Sequence, residues 1–267
     1  MLNYIVIPTK SGTVDAFSFN KTCRNSRFML SDSPCSPVPL SDVKKNYNAK
    51  LVSAVFSYCF LYCRGDFESF SIDLNRFGEY SGFTYGSHGV NIYTELLHIS
   101  KISGVIDDEC LGELVKDVVM SEKSVNFSSK YFAELIKYMR EGCAGERHSY
   151  FSSVLLTSAF RERNRAGFEV ACVLCSMSER RGTVYGGRSD IRLDTLINRC
   201  PYFEYRFCNA ENAKKNYVLK STLLSAVEIL KADSILEKKY GSVTVDLPSV
   251  INRFELGEYV TVTIKRR

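Results

Sequence analysis

The stretch Asp190–Leu230, "DIRLDTLINRCPYFEYRFCNAENAKKNYVLKSTLLSAVEIL", decides how the rest of the chain is read. "SDIRLD" alternates like a short strand and runs into a helix start with Asp194 as N-cap. "TLINRCP" reads as a short helix broken at Pro201. A polar, lysine-bearing gap follows. Then "KNYVLKSTLLSAVEILKADSIL" places Leu219, Leu223, Val227 and Leu230 on one face of a longer amphipathic helix. The first turns of that helix carry Lys and Ser. Beyond it, "KKYGSVTVDL" and "YVTVTIKRR" read as two strands of a hairpin, with "PSVINRFELGE" as a loop.

The same grammar occurs earlier. "AKLVSAVFSYCFLYC" (Ala49–Cys63) is an apolar helix closed by Arg64 and Gly65, as "RNRAGFEVACVLCSMSERRG" (Arg163–Gly182) is in the second half. "FESFSIDL" alternates like a half-buried strand, and Asp73 is placed to cap a short helix, "LNRFGEYSG". A turn bearing Gly82, Gly86 and Gly89 leads to "VNIYTELLHISKI", where Ile92, Leu96 and Ile99 recur at helical spacing. Two β-prone runs, "LVKDVVM" and "SVNFS", precede a further helix, "SKYFAELIKYMREG". Setting Asp73 of "SIDLNRF" on Asp194 of "IRLDTLI" gives an offset of 121 between the two halves.

Apolar helix, strand, short helix, longer helix and β-hairpin, met twice, predicts an α+β chain of two winged-helix domains in tandem. The expected boundaries are residues 46–145 and 146–267, after an extended N-terminal arm of residues 1–45. In the arm "NYIVIP" is an edge strand, and "RNSRFMLSDSPCSPVPLSD", with three of the six prolines, is an extended connector. Ser41 or Asp42 is expected to cap the next helix. A helix-turn-helix holds its second helix in the DNA major groove, which explains a basic helix braced by a short one.

Composition narrows the function classes. The 267 residues are 45% apolar and 24% charged, enough to bury one large core or two ordinary ones. The start of the chain is apolar for too short a run to be a secretory signal, and no run of ~18 apolar residues suggests a membrane span. A cytoplasmic protein is expected. The net charge of +5 is unevenly distributed. Leu51–Lys130 holds 6 Lys and Arg against 11 Asp and Glu, whereas Lys137–Lys220 holds 15 against 9. A basic second half suits a polyanion, with an ordinary soluble surface as the plainer alternative.

Ten cysteines raise the question of zinc or disulfides. Cys59 and Cys63, and Cys172 and Cys175, lie in apolar helical runs and read as small core side chains. Cys200 and Cys208 flank "PYFEYRF", a poor zinc knuckle, so no metal and no cofactor is expected. Catalysis is not expected either. The three histidines, His88, His98 and His148, make no His-hydrophobe-His pair for a nickase metal, no phosphate-binding "GxxxxGK[ST]" loop occurs, and no spacing singles out one cysteine nucleophile.

The tandem arrangement resembles the replication initiator proteins of theta-replicating iteron plasmids and related mobile elements. "SVNFSSKYFAELIKYMREG" looks like that family's strand-then-helix exit from its first domain. "SYFSSVLLTSAFRERNRAGFEVACVLCSMSERRG" looks like the hydroxyl-rich approach to the first helix of its second domain. "DIRLDTLINRCPYF" is similar to its strand and brace helix. The likeness spans about Leu40 to the C-terminus; the family's Tyr and Glu-Leu-Leu run is here "FEVACVLCSM", and the proline-bearing arm has no counterpart. The resemblance implies a sequence-specific binder of double-stranded DNA. It would recognise repeated origin sites, repress its own expression, dimerise through the first unit and engage host replication proteins. The alternatives are a winged-helix transcriptional regulator that does not start replication and, third, an effector or structural protein whose helices bury a protein partner.

On that reading Lys214, Lys215 and Lys220 neutralise phosphates near a helix N-terminus, itself favourable to anions. Asn216, Tyr217, Lys220, Ser221 and Ser225 reach base edges or backbone. Lys238, Lys239 and Tyr240, with Gly241, form the wing. In the first unit Ser87, His88, Asn91, Tyr93 and Thr94 hold the corresponding positions, in acidic surroundings that predict weaker contact. For each residue alone the plainer reading is a solvated surface.

Overall fold

A computed structural model describes residues 4–8, 27–32, 39–63, 68–81, 92–141, 148–152, 165–178, 188–232, 242–246 and 259–265. It is an α+β structure with small antiparallel sheets. The first half is built on one helix. Helix α1 (Leu40–Asn46) leads into α2 (Ala49–Tyr62), where the Asn48 side chain caps the Leu51 amide at 3.3 Å. Every residue from Ala49 to Phe60 is buried, so α2 is enclosed on all sides, as its nearly unbroken apolar sequence requires. The cap of α1 is Pro39, with no side-chain bond; neither Ser41 nor Asp42 caps it.

Two strands precede these helices. β1 (Tyr4–Pro8) pairs far along the chain, and β2 (Phe28–Asp32) lies inside the supposed connector, with Phe28 and Leu30 fully buried. That part of the arm therefore belongs to the core, because its alternating apolar residues meet a sheet.

After α2 comes β3 (Ser69–Asp73), in which Phe70 and Ile72 point inward and Ser69, Ser71 and Asp73 outward. Asp73 caps α3 (Leu74–Ser81) by accepting the Arg76 amide at 2.8 Å, as expected from sequence. Helix α4 (Ile92–Ile99) buries Ile92, Leu96 and Ile99. Next is a hairpin that the sequence reading did not resolve, β4 (Ile102–Ile106) and β5 (Glu109–Glu113). Asp107 and Asp108 turn it with φ of 51° and 70°, the left-handed pair a two-residue hairpin turn needs. β2, β4 and β5 form one sheet in that order. Gly104 in β4 is required, because a Cβ there would lie 2.4 Å from the Tyr131 ring.

β6 (Lys116–Met120) and β7 (Ser124–Ser128) follow, and the sheet order is β3-β7-β6. Phe70 and Phe127 stack at 5.5 Å on its inner face. Helix α5 (Lys130–Arg140) starts at Ser129, whose hydroxyl accepts the Phe132 amide at 3.1 Å and donates to the Leu114 carbonyl at 2.6 Å.

β8 (His148–Ser152) joins the halves and pairs antiparallel with β1. The second half then runs α6 (Arg165–Ser178), β9 (Arg188–Arg192), α7 (Leu193–Asn198), α8 (Pro201–Cys208), α9 (Asn212–Ala232), β10 (Ser242–Asp246) and β11 (Tyr259–Lys265). Its sheet order is β9-β11-β10. In both halves a strand that follows a long apolar helix thus lies beside the last strand of the half's sheet, not the next one.

Three local readings change. α7 begins at Leu193 after Arg192, so Asp194 sits in its first turn; its carboxylate accepts the Thr195 amide and the Arg192 guanidinium, both at 2.6 Å. Strand end and helix start therefore pair Asp73 with Arg192, an offset of 119 and not 121. Pro201 does not merely end a helix. It occupies the first turn of α8, where its missing N–H costs nothing.

The halves pack together. α1 lies on α8, and Lys44 donates to Glu204 at 2.6 Å with both side chains mostly buried. α2 also packs on α6, and one apolar core runs through both halves. Among the described residues no helix is long and apolar enough to cross a membrane.

Candidate nucleic-acid interface

The outward surface of α9 is set by what its inner side must bury. Val218, Leu219, Thr222, Leu223, Ala226 and Ile229 face inward, chiefly onto α6. Of the expected row, Leu219 and Leu223 are buried, Val227 is only partly buried while Ala226 takes the inner place, and the Leu230 side chain lies outside what the structure describes. Contact with α6 is tight at one point: a Cβ on Gly167 would lie 2.5 Å from Ser225 Oγ.

The opposite side carries Lys214, Tyr217, Lys220 and Leu224, all exposed, at three- and four-residue spacing. Tyr217 is 71% exposed and Leu224 44%. A 21-residue helix is roughly 30 Å long and about 10–12 Å across with side chains, which suits a major groove about 12 Å wide. The cations lie toward its N-terminal half, while Glu228 is exposed further along. Lys214 pairs with Glu211 at 2.9 Å, both well exposed, so solvent screens the pair and leaves the amine exchangeable.

The bracing of α9 starts in α6. Glu169, fully enclosed, accepts the Tyr202 and Phe203 amides at 3.1 and 3.0 Å and so caps α8 from another helix. Burial pushes its carboxyl up to about 8, against the two amide bonds that pull it down. Phe203 and Phe207 of α8 are buried, and the Lys215 ammonium lies 5.6 Å from the Phe207 ring. Only Asn209–Glu211 separates α8 from α9, so the polar gap is a three-residue turn and not a loop.

The candidate residues divide accordingly. Lys214, Tyr217 and Lys220 share the outward row, Lys215, Asn216 and Ser221 flank it half-buried, and the Ser221 hydroxyl donates to the Val218 carbonyl at 3.1 Å. Ser225 is a correction: its Oγ is buried against Gly167 without a hydrogen-bond partner among the described residues, so it faces α6 and not the groove side. In the first half Thr94 is exposed and Tyr93 half-buried. Ser87, His88, Asn91, Lys238, Lys239 and Tyr240 lie outside the described residues.

Sequence reasoning missed Leu224 in the outward row, the Glu169 clamp and the Lys44–Glu204 pair. A lone carboxylate inside the apolar "FEVACVL" was the available signal for the clamp. The first half has its own exposed apolar residues, Leu97 on α4 and Val119 and Met120 on β6. No family model, curated protein or solved structure matches the chain.

Proposed function

We propose that the chain is a tandem winged-helix, sequence-specific binder of double-stranded DNA that initiates replication of a plasmid or similar mobile element. It binds repeated origin sites and represses its own expression. The observation that carries this reading is the outward row of α9, with Lys214, Tyr217 and Lys220 presented on a helix braced by α8 and seated on α6. The shared strand order of the β3-β7-β6 and β9-β11-β10 sheets supports reading each half as one winged unit.

In this mechanism no bond is made or broken by the protein. Lysines release counterions from phosphates, Tyr217 and Leu224 offer apolar contact to base edges such as thymine methyls, and Asn216 reaches bases or backbone. The first half, acidic around α4 and with Leu97, Val119 and Met120 exposed, serves a homodimer and contacts DNA less. Host replication proteins load at the occupied origin.

Selection of bound fragments from the DNA that carries the coding region tests the reading. The expected result is enrichment of tandem repeats beside the gene. A single operator without repeats would favour the transcriptional regulator instead, and no enrichment at low salt would remove both.

A further inference from the structure

The outward row of α9 is apolar along its middle and basic along both sides. Tyr217 and Leu224 are large apolar side chains left exposed, although Leu219, Leu223 and Ala226 already fill the inner face of the helix. Seven residues make nearly two turns, so the two lie within about 20° of each other around the helix axis and about 10.5 Å apart along it. Lys214 and Lys220 stand three residues either side of Tyr217, displaced from it by about 60° in opposite directions. Both are exposed. One cation thus lies on each side of an apolar line, as one phosphate backbone lies on each side of a major groove. Glu228 is exposed on nearly the same line one turn beyond Leu224, where a carboxylate ends the apolar run.

The methyl group on the floor of that groove belongs to thymine alone. Other base edges present donors and acceptors that an apolar side chain would bury without a partner. Resting on the DNA reading above, we propose that Tyr217 and Leu224 are specificity-determining residues, each packing on one thymine 5-methyl group, so that every bound site carries two thymines at a fixed spacing.

The spacing follows from the helix. Base pairs rise about 3.4 Å, so a helix lying parallel to the DNA axis spans about three steps between the two side chains. A recognition helix that enters the groove at an angle, with contacts at similar intervals on successive bases, spans about two. The thymines therefore stand roughly two or three base pairs apart, on either strand, flanked by the phosphates that Lys214 and Lys220 meet.

The test begins with selection of duplexes by the full chain from a randomised pool at low salt. In the duplex selected most strongly, each thymine in turn is replaced by deoxyuridine, which removes the 5-methyl group and keeps every hydrogen-bonding group; binding is then measured by titration. Two positions, roughly two or three base pairs apart, should each lose about four-fold in affinity, the worth of one buried methyl, and the other replacements should change it little. In L224A the loss at one of these positions disappears while the other stays, and Y217A does the reverse. Fewer than two sensitive positions in a duplex bound specifically would overturn the thymine assignment and leave the DNA reading standing, as would losses that persist unchanged in both variants. Failure to bind or enrich any duplex at low salt would overturn both. The deoxyuridine series on the wild-type chain decides even where a variant does not fold.

Discussion

Replacing Gly167 by Ala probes the seat of α9 on α6, on which the outward orientation of Tyr217 and Lys220 depends. The new methyl would stand 2.5 Å from Ser225 Oγ, 2.8 Å from Ser225 Cβ and 3.4 Å from the Ala226 nitrogen. The first two distances are below contact, and neither atom is the flexible end of a long side chain. Overpacking of this kind costs ~1–3 kcal/mol. Replacing a glycine in a helix by alanine contributes up to about 1 kcal/mol in the other direction, here in the first turn of α6. The net expectation is a loss of about 1 kcal/mol in urea unfolding followed by circular dichroism. Ser225→Gly removes both close atoms, so the double variant G167A/S225G should recover at least ~1 kcal/mol beyond additivity. If G167A stabilises the chain by the full helical gain and shows no coupling to S225G, α9 is not seated as described.

Ser225→Ala should raise stability by about 1 kcal/mol, since it removes a buried, unpaired hydroxyl, and should leave DNA affinity unchanged; titration with a bound duplex checks the second part. Lys44→Met leaves the Glu204 carboxylate mostly buried without its cation and should cost about 3 kcal/mol in unfolding, with K44M/E204M recovering much of it. The folded Glu169 carboxyl, at about 8, binds its proton more tightly than the unfolded group at 4.5, so its contribution is present below about pH 4.5 and is lost as pH rises through about 8. Lys50, lowered to about 8 by burial and then by Arg165, acts in the opposite sense, losing its contribution as pH falls from 10.5 through about 8, and leaves the lower range unaffected. Unfolding free energies between about pH 5 and pH 7 should therefore slope downward by up to ~1.4 kcal/mol per unit in the wild type and flatten in E169Q; an unchanged slope in E169Q would clear Glu169.

Elements whose period matches their burial were legible in the sequence. α2 is apolar all round because it is enclosed, α4 shows Ile92, Leu96 and Ile99 at helical spacing, and the inner residues of β3 and β7 alternate. Hidden features depended on contacts distant in sequence. Phe28 and Leu30 stand just before a run of three prolines, and their strand pairs with the edge of β4, more than 70 residues on. The β4-β5 turn uses Asp107 and Asp108 in left-handed conformations without glycine, so the usual hairpin signal is missing. Pro201 was ambiguous between stopping one helix and starting another, and its starting role rests on Glu169, 32 residues upstream. On α9 the polar residues alone did not fix the outward face, because small Ser225 sits where α6 comes closest.

Salt titration of duplex binding by wild type and by a K214A/K220A variant puts the outward row of α9 under test. Each phosphate contact steepens the slope of log affinity against log salt by ~0.9. If Lys214 and Lys220 each meet one phosphate, the double variant binds more weakly with a slope shallower by about 1.8. An unaltered slope and affinity in a variant that unfolds like the wild type would contradict the assignment of α9 as the DNA-facing helix.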